Sequence, residues 1–244
     1  MENIFEGPAA FENKWIFRQL GNVQGKRVLD LGCGLGESAV YFASKGAIVT
    51  ASDLSPQMLE FSKALARHYG VEIETALGAA ETLELNPAHY DIIYAANVIH
   101  HLSDAQSFYN GVVRLLKPDG VFCSWDPVRY NPAINVYRKI ASNVRSEDEQ
   151  PLGFRDLALL REYFGEVRTR FFWLTSLVLF LKYYFWDKKN PNEVRYWKCI
   201  YEESAKSLRW WLPFAWLDQC LLRIPGLRWL SWNMGVFARK PRSR

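Results

Sequence analysis

Short apolar runs alternate with amphipathic stretches through the first half of the chain. A run of consecutive apolar residues between turn residues is typical of a buried strand, whereas apolar residues at intervals of three or four indicate a helix. Strands are predicted at 26–31, 47–52, 71–77, 89–96 and 120–125. Helices are predicted at 35–44 and 105–116, and a third helix begins at Pro56 with Ser55 as its N-cap. The alternation predicts an α/β fold, a parallel sheet with helices on both faces.

Outside this region, two further helices are predicted at 11–20 and 154–164, and two further strands at 166–173 and 231–239. Two apolar stretches, 171–186 and 210–222, occupy most of the region around and between those last strands. The first has 16 residues with Lys182 inside it, which is short of the roughly 20 that span a bilayer. The second is interrupted by Pro213 and Asp218. A transmembrane helix is therefore not expected here.

The first predicted strand ends in Asp30 and runs directly into a G-x-G-x-G turn at Gly32, Gly34 and Gly36. Glycine accepts a positive φ and lets the backbone approach a ligand closely. The carboxylate of Asp30 beside this turn would repel a pyrophosphate and attract an amino group. Asp53 follows the second strand, where an acidic side chain can accept hydrogen bonds from the two hydroxyls of a ribose. The pattern indicates a nucleoside that also carries an amino group.

Four segments together carry a resemblance to a known family: VLDLGCGLG at 28–36, SDLSPQML at 52–59, YDIIYAANVIHHL at 90–102 and LLKPDGVF at 115–122. In register over about residues 25–126, they resemble the motifs of class I S-adenosylmethionine-dependent methyltransferases of the small-molecule type. The resemblance implies a Rossmann-like sheet of seven strands, the last of them antiparallel. It also implies S-adenosyl-L-methionine as cofactor and S-adenosyl-L-homocysteine as product.

The resemblance implies one domain over 1–244. Its parts would be an N-terminal cap helix (1–24), an α/β core (25–173 and 231–240), and a helical insertion between strands 6 and 7 (174–230) that forms a lid or a membrane-interface element.

Roles for individual residues follow from the same resemblance. The methionine part of the cofactor would face Asp30 and the backbone of the glycine turn, the ribose would be held by Asp53, and the sulfonium would lie beside Asn97 and Val98. The full set of implied cofactor-binding residues is Asp30, Gly32, Cys33, Gly34, Gly36, Asp53, Leu54, Met58, Ala79, Ala80, Glu81, Asn97 and Val98. One departure stands out, because many relatives have Gly-Asp-Ala where this chain has Gly78-Ala79-Ala80. The usual side-chain contact to the adenine amino group is then lost, and Glu81 either replaces it or is only solvated.

Methyl transfer needs a base only when the acceptor is protonated at neutral pH. His100 and His101 are the candidates, since an imidazole titrates near neutrality, although they could simply cap the turn after strand 4. Asp126 and Tyr130 are candidates for contact with the acceptor. No metal is expected, because the positions where some relatives carry two glutamates and a histidine hold Asn97, His100 and His101.

The charge is unevenly distributed along the chain. Residues 1–126 carry 9 Lys and Arg against 15 Asp and Glu, whereas residues 127–244 carry 21 against 11 and eight of the ten tryptophans. Basic residues interleaved with tryptophans are typical of an element at a membrane interface, and peripheral contact with an anionic membrane is one hypothesis. A lid over an apolar cavity is the other. Nucleic acid is disfavoured, because the aromatic residues lie within apolar runs.

The expected function is methyl transfer from S-adenosylmethionine to oxygen or nitrogen of a hydrophobic small-molecule or lipid-linked acceptor, with carbon as a further option. The alternative is a non-enzymatic scaffold that binds the cofactor and docks to a membrane or partner through its Trp-rich insertion. The four scattered cysteines and the absence of an apolar leader in the first residues predict a cytoplasmic protein, with contact to the inner face of the membrane as the extension of that prediction.

Overall fold

The computed structural model describes residues 1–80, 82–141, 149–203, 205–206 and 208–242. Contacts between Cα atoms divide the chain into two compact units. We call residues 16–126, 154–169 and 236–244 the sheet unit, and residues 1–15, 127–153 and 170–235 the helical unit.

Seven strands form one mixed sheet in the order β3-β2-β1-β4-β5-β7-β6, which confirms the predicted fold class. Their bounds are β1 Arg27–Leu31, β2 Ile48–Asp53, β3 Glu74–Leu77, β4 Tyr90–Ala96, β5 Leu116–Pro127, β6 Phe164–Phe172 and β7 Asn233–Pro241. Strands β1 to β5 pair in parallel. The central strands are almost continuously buried, as expected when helices cover both faces of a parallel sheet.

The α-helices that the structure describes are α1 Glu2–Phe5, α2 Phe11–Leu20, α3 Glu37–Ser44, α4 Pro56–Tyr69, α5 Ala105–Leu115, α6 Pro132–Ile140, α7 Phe154–Tyr163, α8 Val178–Leu181, α9 Tyr196–Glu203 and α10 Leu208–Leu221. The predicted cap of α4 is confirmed, because the Ser55 hydroxyl accepts a hydrogen bond from the backbone N–H of Met58. Such a cap satisfies one of the unpaired N–H groups of the first turn.

Strand β5 begins earlier than the sequence predicts. The sequence predicted this strand over 120–125, yet Leu116 already pairs with Tyr90, and the next pair along is Ile92 with Val121. The extra residues of β5 form a bulge, which an ammonium–carboxylate pair between Lys117 and Asp91 spans at 2.7 Å. Irregular pairing of this kind leaves no periodic signature in a single sequence.

The order of the strands reverses between β1 and β4. Strands β2 and β3 follow β1 on one side, and β5 follows β4 on the other. The loops after β1 and β4 therefore diverge at the carboxyl edge and leave a crevice, the usual ligand position in open α/β sheets. The glycine turn follows β1, and residues 97–101 follow β4.

The helical unit has its own aromatic core. Trp173 and Trp211 are fully buried, and their rings lie 4.9 and 5.6 Å from that of Phe11. The Glu12 carboxylate is also buried there, where it accepts hydrogen bonds from the Trp173 indole at 2.8 Å and the Asn233 amide at 2.7 Å. Residues 174–230 thus share a core with the start of the chain, and their predicted role as a lid or interface element stays a prediction.

Helix α10 differs from its prediction. The sequence suggested a stretch broken at Pro213 and Asp218, but the helix is continuous through both residues. Asp218 does not interrupt it because its side chain points inward, where it accepts hydrogen bonds from the backbone N–H groups of Leu174, Thr175 and Ser176. No helix in the described part of the chain is long and apolar enough to cross a membrane.

Candidate functional site

The glycine turn after β1 is locked in a conformation that side chains disfavour. Gly32, Gly34 and Gly36 all have positive φ. A Cβ on Gly32 would lie 2.5 Å from a methyl group of Val98, and a Cβ on Gly36 would lie 2.7 Å from the Cα of Ser62. Gly32 therefore lets the loop after β1 pack directly against the loop after β4, and Gly36 lets α3 start against α4. Both contacts narrow the crevice at the carboxyl edge of the sheet.

Asp53 holds the turn from the neighbouring strand. One carboxylate oxygen accepts the Gly34 N–H at 3.0 Å, and the other accepts the Ser55 N–H at 2.9 Å. A carboxylate offers about four lone-pair sites, so two remain for other donors. Since the side chain is partly exposed, these sites can accept hydrogen bonds from two adjacent hydroxyl groups.

Asp30 is the buried acid of the site, with 1% of its surface exposed. Burial raises its pKa to about 7, although a hydrogen bond from the Ser38 hydroxyl at 2.6 Å works in the opposite direction. A cationic amino group placed beside this carboxylate would relieve the cost of its charge. The neighbouring Cys33 is buried as well, and burial raises the pKa of its thiol to about 12, so this cysteine lines the turn as an unreactive thiol.

The residues that the resemblance assigns to the adenine are mostly apolar. Leu54 is 76% exposed and Met58 is half-buried, while Ala79 and Ala80 follow the end of β3. The Ala79 N–H donates to the Thr82 hydroxyl, and Ala80 is buried. Glu81, which the sequence singled out as a possible replacement contact, lies outside the described residues.

His100 forms a close pair with Asp126. Its Nδ1 lies 2.8 Å from Oδ1 of Asp126, and the same oxygen accepts the backbone N–H of His100 at 3.2 Å. Both side chains are buried, and burial raises the pKa of the Asp126 carboxyl, against the hydrogen bonds and charge of His100. The parallel pairing of Ala96 with Trp125 brings the two together. With a proton on Nδ1, this arrangement leaves Nε2 of the imidazole able to accept another.

The other sequence candidates lie in different surroundings. The His101 ring is exposed and packs 4.0 Å from that of His100, and Asn97, also exposed, has a positive φ of 57°. Asp126 was predicted to contact the acceptor; its side chain is fully buried and pairs with His100. Tyr130 belongs to the helical unit, where its ring packs on Trp229 at 5.9 Å. Acceptor contact by Asp126 or Tyr130 stays a prediction.

Sequence reasoning missed two residues of this site. Ser38 donates to Asp30, and its place in the first turn of α3, one turn after the glycines, was the available signal. Leu77 is 60% exposed and pairs in register with Asp53. Leu77 ends β3, the edge strand of the sheet, and its position beside Asp53 depends on strand pairing, for which the sequence carried no signal.

Residues 29–124 match the family model described as a methyltransferase domain. Together with the strand order and the crevice, this match defines the region as a class I S-adenosylmethionine-dependent methyltransferase domain. Ubiquinone biosynthesis O-methyltransferases from Salmonella paratyphi A and Bordetella avium are 36% and 34% identical over 110 and 108 residues. These alignments cover 43% and 44% of this chain and 44% and 45% of the relatives, so the chain spans less than half the length of the curated relatives it matches.

Solved structures share the fold over nearly the whole chain. The YcgJ protein from Bacillus subtilis has a TM-score of 0.58 and 20% identity, covering 94% of this chain and 98% of that one. A Haemonchus contortus phosphoethanolamine N-methyltransferase 2, in complex with S-adenosyl-L-methionine, has a TM-score of 0.61 and 18% identity, covering 97% of this chain and 53% of that one. At these identities the similarity shows the fold alone.

Proposed function

We propose that the protein transfers a methyl group from S-adenosylmethionine to a hydroxyl oxygen of a hydrophobic small-molecule or lipid-linked acceptor. The observation that carries this proposal is the buried His100–Asp126 pair at the carboxyl edge of β4 and β5. A hydroxyl must lose a proton during methylation, so it calls for a base at this position. The names of the curated relatives, O-methyltransferases of ubiquinone biosynthesis, support oxygen over nitrogen or carbon.

The residues present fit this cofactor, which supplies the methyl group when bound. Asp30 is buried and has no cationic partner among the described residues, so it suits the amino group, and the two remaining acceptor sites on Asp53 suit the ribose hydroxyls. Leu54, Met58 and Leu77 offer an apolar surface to the adenine. Val98 lies against Gly32 of the glycine turn, which supports its assignment, with the adjacent Asn97, to the reactive end of the cofactor.

His100 is the proposed general base. Asp126 accepts the hydrogen bond from Nδ1 and so fixes the tautomer in which Nε2 carries the free lone pair. When Nε2 takes the hydroxyl proton, the imidazole becomes cationic, and the buried carboxylate 2.8 Å away stabilises that charge. The acceptor oxygen is then a better nucleophile. In this scheme His100 is a catalytic residue and Asp126 a positioning residue.

A hydrophobic acceptor and peripheral membrane contact belong to the same proposal. The relatives' names point to a ubiquinone precursor as their own substrate class, and the tryptophan-rich segment after Trp173 provides the composition of an interfacial element. A lid over the acceptor remains the competing role for residues 174–230.

The test compares His100→Ala and Asp126→Asn with His68→Ala, which changes an exposed histidine on α4. Methyl transfer to a catechol acceptor is measured across a pH series, and cofactor binding is measured separately by calorimetry. We expect His100→Ala to lower kcat by about 100-fold or more with cofactor affinity unchanged. We expect Asp126→Asn to lower kcat with cofactor affinity unchanged, since the imidazolium loses its carboxylate partner.

An unchanged rate in His100→Ala would contradict the base assignment. Cofactor binding by the wild type without methylation of any hydroxyl acceptor would instead favour the non-enzymatic scaffold. His68→Ala should match the wild type in both measurements, which separates the loss of this imidazole from a general effect of removing a histidine.

A further inference from the structure

Helix α10 buries a carboxylate and exposes two of its tryptophans. Its buried stripe consists of Trp211, Ala215 and Asp218, one of which is a carboxylate. The opposite side is apolar and exposed; we call it the α10 outer face, and it consists of Trp210, Leu212, Pro213, Phe214, Trp216 and Leu217. Trp210 and Trp216 are 72% and 67% exposed. A surface helix normally places such side chains toward the core and its acids toward water.

The hydrogen bonds of Asp218 fix this orientation. Besides three backbone N–H groups, its carboxylate accepts the hydroxyls of Thr175 at 2.6 Å and Ser176 at 2.5 Å. Rotating the helix to bury Trp210 or Trp216 would break all five hydrogen bonds and leave their donors unpaired. The free-energy cost of those unpaired donors exceeds the gain from burying one exposed ring. The exposure of the outer face therefore follows from the hydrogen bonds of Asp218 within the helical unit.

The exposed charged residues nearest in sequence to the ends of α10 are both arginines, and the acid after α8, Asp187, is paired with Lys182 at 2.6 Å. Asp218 is the only acidic residue in the sequence of α10, and it is buried, while Arg209 lies exposed near the start of the helix and Arg223 lies exposed just after its end. A second exposed aromatic run, Tyr184, Phe185 and Trp186, follows α8, a helix that contacts α10. Lys188 is exposed close by in sequence. Aromatic side chains between arginines at both ends suit an anionic surface with an apolar layer beneath it.

We infer that the α10 outer face docks into the headgroup layer of an anionic lipid bilayer, with α10 lying in the plane of the membrane. Tryptophan prefers this layer because its ring is apolar and its indole N–H is polar, and arginine adds attraction to anionic headgroups. The inference deepens the proposed function, and rests on it in one respect only: a bilayer would be where a lipid-linked acceptor is met.

The experiment is flotation of the full chain with vesicles of phosphatidylcholine alone and of phosphatidylcholine mixed with phosphatidylglycerol. We expect the wild type to float with the anionic vesicles, and far less with the neutral ones. The double variant Trp210→Ala, Trp216→Ala should reduce binding to anionic vesicles by about tenfold or more. The variant Arg209→Gln, Arg223→Gln should reduce it by a similar factor and weaken its dependence on salt.

The matched control is Phe61→Ala, which removes an exposed aromatic ring from α4 in the sheet unit and should leave flotation unchanged. Failure of the wild type to float with anionic vesicles would overturn the inference, as would full binding by the tryptophan variant. A wild-type dimer that the tryptophan variant converts to a monomer, without vesicle binding, would reassign the face to a second copy of the chain.

Cofactor affinity and methylation of a water-soluble catechol are measured on the same variants. If these stay at the wild-type level while flotation is lost, the docking face is supported independently of the active site. If flotation is present but no methyl transfer is found in any protein, the proposed function fails while the membrane contact stands.

Discussion

Asp30 is the residue whose chemistry most directly connects burial with ligand binding. A carboxylate this deeply buried is costly to ionise, and the neighbouring charges of Glu37 and Asp53 add to that cost. A bound ammonium group offsets it, because opposite charges attract strongly where water is excluded. The burial that makes Asp30 a poor acid in the empty site therefore makes it a selective partner for a cation.

We predict that cofactor affinity depends on pH through Asp30. Its pKa of about 7 in the free protein means that a proton must be displaced from the carboxyl below that pH before it can pair with the amino group. The association constant should fall by up to about tenfold for each pH unit below about 7. Calorimetric titration with S-adenosylhomocysteine across a pH series measures this slope.

The variant Asp30→Asn should bind more weakly and with little pH dependence over the same range. Asp119→Asn, at an exposed acid, should retain the wild-type slope. A wild-type affinity that stays flat between about pH 5.5 and 8 would show that Asp30 does not pair with the amino group.

At the scale of single residues, the sequence singled out acids and imidazoles at the carboxyl edge of the sheet but not the side chains that they pair with. Asp30, Asp53 and His100 were all predicted from motifs. The pairing of His100 with Asp126 was not, because the two residues are far apart in sequence and meet only through the register of β4 against β5. The spacing of residues along the sequence does not indicate which side chain of a neighbouring strand faces a given residue.

Among the elements, the glycine turn and the loop after β4 depend on each other through a single contact. The methyl group of Val98 occupies the space a side chain at position 32 would need. Valine is branched at Cβ and has little rotamer freedom with which to move away. A substitution at Gly32 therefore acts on two loops at once.

We predict that Gly32→Ala lowers the free energy of unfolding by about 3 kcal/mol, combining strain at a positive φ with overpacking. Gly34→Ala is the matched control, because its φ is also positive but nothing lies within 4 Å of the added Cβ, so it should cost only about 1 kcal/mol. Denaturant unfolding of both variants measures the difference.

Val98→Ala should rescue Gly32→Ala. In a double-mutant cycle we expect a coupling of about 1–2 kcal/mol, since removing the valine methyls clears the space. Strictly additive effects would mean that the cost at position 32 comes from the backbone alone.

The strands and helices of the sheet unit were predictable because each follows from local periodicity, and most bounds agree within a few residues. Helix α10 was harder. Pro213 and Asp218 are poor residues for a helix interior on propensity, and what overrides that propensity is a set of donors at 174–176 that no local pattern reveals.

Over the whole molecule, charge is more evenly distributed than the chain halves suggest. The basic C-terminal segment, residues 236–244, belongs to the sheet unit. That unit has 15 Lys and Arg against 15 Asp and Glu. The helical unit has 15 against 11, a net charge of +4. Attraction to an anionic surface therefore depends on where individual arginines lie rather than on the polarity between the halves of the sequence.

Three buried carboxyl groups among the described residues have a raised pKa: Glu12 in the helical unit, and Asp30 and Asp126 in the sheet unit. Burial raises the pKa of Glu12 to about 7, against hydrogen bonds from Asn233 and Trp173, and that of Asp30 to about 7 as well. Because these values lie above those of the unfolded chain, both groups favour the folded state at low pH, and that contribution is lost as pH rises toward 7.

We predict that the free energy of unfolding decreases between about pH 5.5 and 8, by about 2 kcal/mol for each of the two groups. The variant Glu12→Gln should lack the pH-dependent contribution of Glu12 to the free energy of unfolding. The stability of this variant should therefore decline less steeply with pH than that of the wild type. Denaturant titrations at several pH values measure both slopes. A Glu12→Gln profile parallel to the wild type would show that Glu12 is not the titrating group.

The contact between Gly32 and Val98 also has an evolutionary consequence. The two positions are epistatic, because position 98 can hold a branched side chain only while position 32 has none. A lineage that changes its acceptor by enlarging the loop after β4 would first have to keep, or regain, a glycine in the loop after β1.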